Sequence, residues 1–176
     1  FELTPYLKEG ENKLAAQVFK WTSSSWCEDQ DFFRFSGIYR DVYLYAIPEV
    51  HVSDVKIQTL LDDTFTKADL VIDTKATKAG KVKITLSKDG KELQSVEETL
   101  AEESQYVMKV ENPELWSAES PVLYDLLLEV MDENGQVTEV IPQRVGFRRF
   151  EMKDSIMMLN GKRIVFKGVN RHEFSS

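Results

Sequence analysis

Two polar clusters in this chain have residue types and spacing suited to chemistry. The first is Glu28-Asp29-Gln30-Asp31, followed by Phe32-Phe33-Arg34-Phe35 and preceded by Trp26 and Cys27. Three carboxylates within four residues can offer oxygen ligands to a hard cation. The spacing does not build an EF-hand loop, because the sixth position holds no glycine and no glutamate closes the run. Carboxylates beside aromatic rings also suit a sugar, with polar groups on the hydroxyls and rings on the apolar face. Read by spacing alone, a solvated acidic loop is the better explanation of the cluster, and the neighbouring aromatic rings shift the balance somewhat toward a sugar site. The second cluster is Asn170-Arg171-His172-Glu173, reached directly from the strand-like run 163–168. These four side chains can hydrogen-bond hydroxyls, and His172 can carry a proton near neutral pH. Glu173 is a carboxylate to be tested as catalytic, but glycosidases need a second carboxyl about 5–9 Å away, and spacing assigns no partner. A polar cluster at the C-terminal end of a strand is where barrel enzymes keep their active sites.

These clusters sit at the margins of a chain that is otherwise a succession of short strands. Alternation marks strands over 51–60, 68–76, 81–87, 93–100, a segment carrying Tyr106, Met108 and Val110, a segment carrying Tyr124 to Val130, and 136–144, which Pro142 is expected to interrupt. The inward faces are expected to hold Val55, Ile57 and Thr59, then Leu70 and Ile72, then Val82, Ile84 and Leu86. Asp89-Gly90 and Asn134-Gly135 are hairpin turns by composition. Seven strands at this spacing predict an all-β, immunoglobulin-like sandwich. The Cys-Trp-Cys pattern of antibody domains is absent, so packing alone must hold it. Before this block, 13–21 and 39–46 also read as strands, with a boundary at Ile47-Pro48. After Gly146, 147–151 reads as a last strand or linker, and 156–159 with 164–166 as a hairpin about Asn160-Gly161.

Composition narrows the class. The 176 residues are 42% apolar and 11% aromatic, as in a folded globular chain. A net charge of -8 argues against a nucleic-acid or anionic-membrane surface. No apolar run approaches the roughly 20 residues of a membrane-spanning helix. The single cysteine, Cys27, excludes an internal disulfide and reads as a small, partly buried residue rather than a nucleophile. The first residues carry no initiator Met, and the last follow the second cluster at once. The chain therefore reads as an internal piece of a larger enzyme.

The order of several motifs gives a resemblance. Glu28-Asp29-Gln30-Asp31 with Arg34-Phe35-Ser36-Gly37-Ile38-Tyr39-Arg40-Asp41-Val42, then Asn112-Pro113-Glu114-Leu115-Trp116-Ser117-Ala118-Glu119, then Val145-Gly146-Phe147-Arg148, and finally Leu159-Asn160-Gly161-Lys162 through Gly168-Val169-Asn170-Arg171-His172-Glu173, resemble the bacterial β-galactosidases of glycoside hydrolase family two. The likeness extends over essentially the whole chain. It implies the end of a sugar-binding jelly-roll domain over 1–47, an immunoglobulin-like domain over 48–147, and the start of a catalytic (β/α)8 barrel over 148–176. It implies that Asp31 binds galactose hydroxyls and a monovalent cation, usually sodium, and that His172 contacts the galactosyl group. Phe32-Phe33 stands where the family often has Met or Trp, an expected tolerance.

By the same resemblance the acid/base and nucleophile glutamates lie on later barrel strands, so Glu173 is withdrawn as a catalytic candidate. No catalytic residue is assigned within this chain, which is expected to be inactive by itself. The whole enzyme is expected to retain anomeric configuration, to act on terminal β-D-galactosides such as lactose, and to form a homo-oligomer. A magnesium ion is compatible with the whole enzyme, with no ligands assigned here, and the cytoplasm is the expected compartment. Within the family, glucuronidases carry a proline after the arginine of the Gly-Ile-x-Arg motif, where this chain has Arg40-Asp41. A carboxylate at Asp31 near the sugar's sixth carbon also repels a uronic acid. β-Glucuronidase and β-mannosidase remain the alternatives, together with a non-catalytic carbohydrate-binding or structural sandwich.

Overall fold

The computed structural model describes residues 1–27 and 37–170. The chain divides into two compact units, Phe1–Ala46 and Ile47–Ser176. In the first, the described residues form one 3₁₀ turn at Thr4–Tyr6, with Pro5 fixing its start, and one helical turn at Ser24–Cys27. The segments 13–21 and 39–46, expected as strands, pair with nothing among the described residues. Their side chains Leu14, Phe19, Tyr43 and Leu44 are exposed. Alternation and β-propensity favour an extended chain, but a strand exists only where a partner takes up its N–H and C=O groups.

The second unit is built from strands β1 (Val52–Leu61), β2 (Lys67–Ala76), β3 (Gly80–Lys88), β4 (Lys91–Leu100), β5 (Glu103–Glu111), β6 (Tyr124–Met131) and β7 (Val137–Val145). They form a three-stranded sheet in the order β1-β2-β5 and a four-stranded sheet in the order β4-β3-β6-β7, all antiparallel. This is the immunoglobulin-like sandwich predicted from alternation. The inward faces are those read from the sequence. Leu70, Ile72, Val82, Ile84, Leu128 and Val130 have no exposed surface, and Leu86, Met108 and Leu126 have about 1%. Val55, Ile57 and Thr59 share the inner side of β1 but stay half-buried, because β1 is an edge strand.

Turn chemistry joins the strands as composition dictates. Asp89 and Gly90 have φ of 52° and 76°, the left-handed pair of a two-residue hairpin. At Asp132–Gln136 the turn is longer. The Asp132 carboxylate accepts the amides of Asn134 and Gln136, and Gly135 alone takes positive φ. Pro142 does not interrupt β7: it sits opposite Leu127 within the ladder. Proline is tolerated because β7 is an edge, so its missing N–H costs no hydrogen bond to a neighbour.

Beyond the sandwich lies a three-stranded meander, β8 (Phe150–Lys153), β9 (Ile156–Leu159) and β10 (Lys162–Arg163). The sequence reading placed one hairpin here, about Asn160-Gly161, and missed the other. Asp154 and Ser155 turn β8 into β9 with φ of 49° and 63°. Asp-Ser lacks the glycine that advertises such a turn, so the pairing of β8 with β9 had to supply it.

Candidate functional site

Asp31, His172 and Glu173 lie outside the described residues, as does most of the acidic loop. Cys27 is exposed at the end of its helical turn. His51 is spent locally: its Nδ1 is 2.7 Å from the Pro48 carbonyl and 3.2 Å from the Thr77 hydroxyl. Among the described residues no three His, Cys, Asp or Glu side chains gather as a metal site would require. What the structure does build is the place where the sandwich hands the chain to the meander.

Three loops meet there. The first is the β1–β2 turn. The Asp62 Oδ1 accepts the amides of Thr66 and Lys67 at 2.9 and 3.0 Å, and its Oδ2 accepts the Thr64 hydroxyl. This folds the turn so that Phe65 takes a φ of 59°, uncommon for a bulky residue. The Thr64 hydroxyl, then the Lys67 amide, hold the Asp62 carboxyl below its ordinary value of 3.8, against a smaller opposing effect of burial. A carboxyl depressed by folding adds stability above its unfolded pKa and loses it as pH falls through the lower folded value. Thermal stability of the chain is therefore expected to decline below about pH 4, and Asp62→Asn to flatten that decline. Parallel Tm–pH curves for the two proteins between pH 2 and 7 would remove Asp62 from the effect.

The second loop is Asn112–Trp116, the motif singled out in the sequence. Asn112 has a φ of 48° and donates its amide to the Thr66 carbonyl at 2.6 Å. The Tyr124 hydroxyl accepts the Glu114 amide at 2.9 Å. The Glu114 carboxylate in turn pairs with Lys88 and holds that ammonium above its ordinary range. Trp116 donates its amide to the Phe147 carbonyl at 2.8 Å, and Leu115 and Phe147 form a parallel bridge. Gly146 lies so close that a Cβ there would be 3.0 Å from the Trp116 side chain, so any larger residue would require Trp116 to give way by a few tenths of an ångström.

The third is the β9–β10 turn. Asn160 and Gly161 have φ of 49° and 74°. The Asn160 amide donates to the Arg149 carbonyl at 2.9 Å, its Oδ1 accepts the Arg149 amide at 2.9 Å, and its Nδ2 donates to the Trp116 carbonyl at 3.0 Å. Arg149 reaches the opposite way. Its Nη1 donates to the carbonyls of Leu61 and Asp62 at 3.4 and 3.3 Å and to the Asp63 carboxylate at 3.0 Å. The guanidinium lies 4.6 Å from the Phe65 ring centroid, and Arg148 lies 4.4 Å from that of Trp116. By sequence, Asn160 is only a turn residue and Arg149 only part of a last strand or linker. Asn-Gly signalled the turn, but nothing in the spacing signalled partners 44 and 88 residues away.

The second unit is thus a sandwich of a three-stranded and a four-stranded sheet, continued into a short three-stranded meander. Residues 1–48 match the family Glycosyl hydrolases family 2, sugar binding domain; residues 50–148 match Glycosyl hydrolases family 2; residues 150–176 match Glycosyl hydrolases family 2, TIM barrel domain. The chain belongs to glycosyl hydrolases family 2. It is 50% identical, over 100% of its length, to a protein of Clostridium acetobutylicum named Beta-galactosidase, and 49% identical, over 99%, to one of that name from Halalkalibacterium halodurans. It spans only 20% and 18% of those two relatives. Among solved structures it resembles β-glucuronidase 3 of Bacteroides uniformis with a TM-score of 0.69 and 31% identity, covering 81% of this chain and 18% of that one. No helix among the described residues is long and apolar enough to cross a membrane.

Proposed function

We propose that this chain is part of a retaining β-galactosidase acting on terminal β-D-galactosides such as lactose. The observation that carries this reading is the identity of 49–50% along essentially the whole chain to two relatives named Beta-galactosidase. The residues proposed to touch the sugar are Asp31 and His172. Asp31 is also the proposed ligand of a sodium ion, whose preference for hard oxygen donors a carboxylate meets. Both assignments rest on the motifs Asp29-Gln30-Asp31 and Asn170-Arg171-His172.

A second reading, β-glucuronidase, is favoured by the fold likeness to β-glucuronidase 3 of Bacteroides uniformis. The residues argue against it. Arg40-Asp41 lacks the proline associated with glucuronidases, and a carboxylate at Asp31 opposes the carboxylate of a uronic acid. Initial rates of the full-length enzyme on aryl β-galactoside, β-glucuronide and β-mannoside decide between them. Preference for the galactoside is expected; preference for either other sugar would keep the retaining chemistry and overturn the substrate.

Residues 1–176 alone are expected to hydrolyse none of these, and to bind galactose no more tightly than millimolar, because the proposed site draws on segments further along the enzyme. Turnover of an aryl galactoside by the purified chain would overturn this. Sugar binding at micromolar concentration without turnover would instead support a carbohydrate-binding module.

A further inference from the structure

The geometry points to Asn160 and Arg149 as positioning residues: together they latch the β8–β10 meander to the base of the sandwich, and so set the direction in which the chain enters the barrel. This deepens the glycosidase reading and rests on it for its catalytic consequence, but not for the latch itself.

Arg149 is the residue between the two matched segments 50–148 and 150–176. It thus stands at the boundary between the sandwich and the segment matched to the barrel. The structure gives that point contacts on opposite sides. On one side Arg149 donates to two backbone carbonyls of the β1–β2 turn and stacks on Phe65. Its pairing with Asp63 adds little, since that carboxylate is almost wholly exposed. On the other side Asn160 spans the gap between the Arg149 backbone and the Trp116 carbonyl with its one side-chain amide, using acceptor and donor ends together. Phe65 closes the ring of contacts. A Cβ on Gly161 would be 3.0 Å from the Phe65 ring, so the β1–β2 and β9–β10 turns touch directly. Thr59 adds longer hydrogen bonds to the Gly146 and Arg148 carbonyls, at 3.5 and 3.4 Å.

These partners are mostly fixed backbone atoms on loops that are themselves tied down. A residue with three hydrogen bonds, two from its side-chain amide and one from its backbone N–H, leaves the meander little freedom to pivot. Asn160 holds a left-handed φ, so alanine there would test backbone strain along with the side chain. Asn160→Gly keeps the backbone conformation and removes only the side-chain amide. Arg149→Lys keeps the charge and removes the planar fork.

Two measurements test the latch. Amide hydrogen exchange of residues 1–176 is expected to accelerate across 149–164 in both variants, while β1–β7 keep their protection. In the full-length enzyme, kcat on an aryl β-galactoside is expected to fall about ten- to a hundredfold, as for a displacement of about 1 Å at the chemistry, with KM within about twofold of wild type. Unchanged exchange over 149–164 in both variants overturns the latch. Accelerated exchange with unchanged kcat overturns the positioning role. If the unsubstituted enzyme turns over no aryl glycoside, the glycosidase reading fails, and exchange alone judges the latch.

Discussion

Replacing Asp31 by alanine in the full-length enzyme is expected to lower kcat/KM on an aryl β-galactoside at least ten- to a hundredfold and to flatten its dependence on sodium. A hydrogen bond to a charged group contributes about 1.5–3 kcal/mol, which covers that range when it is lost from the transition state. The carboxylate is proposed to act twice, as acceptor for galactose hydroxyls and as oxygen ligand for the cation. Deleting it removes both interactions together. Two further variants separate the roles. Asp31→Asn keeps an acceptor oxygen but lowers the charge offered to the ion, so sodium dependence is expected to weaken more than sugar binding. His172→Ala removes a galactosyl contact without touching the ion, so activity is expected to drop with sodium dependence intact. Wild-type turnover by Asp31→Ala at every sodium concentration would show that the motif has been carried over wrongly.

Phe147→Ala is expected to destabilise the sandwich by about 3–5 kcal/mol. Phe147 is a large side chain with no exposed surface, and its ring meets that of Tyr124 edge to face at 4.9 Å and 87°. Truncation removes the buried ring, leaves a cavity, and forfeits the edge-to-face contact, itself about 0.5–1.5 kcal/mol. Against a typical domain stability of about 5–15 kcal/mol this is a large share. Phe147→Leu, which refills much of the space, is expected to lose clearly less. Equilibrium urea unfolding of residues 1–176, followed by tryptophan fluorescence, measures both. A loss under about 1 kcal/mol for the alanine variant would mean that the base of the sandwich repacks freely.

The sandwich was legible because its signal is local and repeated. Strands β1, β3, β5 and β6 alternate with period two, and Leu70, Ile84 and Leu128 were bound to face inward once one face of each sheet was buried. Asp89-Gly90 was legible for the same reason: few residue pairs accept two positive φ values in succession. Pro142 misled, since whether proline breaks a strand depends on whether that strand is an edge, and edge position belongs to the sheet. The segments 13–21 and 39–46 misled in the opposite way. Their composition favours β structure, but composition does not supply a partner strand.

The family, and with it the candidates Asp31 and His172, came from the order of short motifs along the chain, which is a property of sequence alone. The junction did not. Arg149 is one of two consecutive arginines in an unremarkable polar run, and Asn160 is one half of a common turn. Their importance lies in carbonyls at Leu61, Asp62 and Trp116, which are brought near only when the two sheets close on each other. The sequence by itself determined strand period, inward faces, turn sites and family, because each of these depends on neighbours a few residues away or on motif order. Tertiary structure alone decided which side chains bind the sandwich to the meander, because hydrogen bonds and ring contacts across such separations follow from how strands pair and pack.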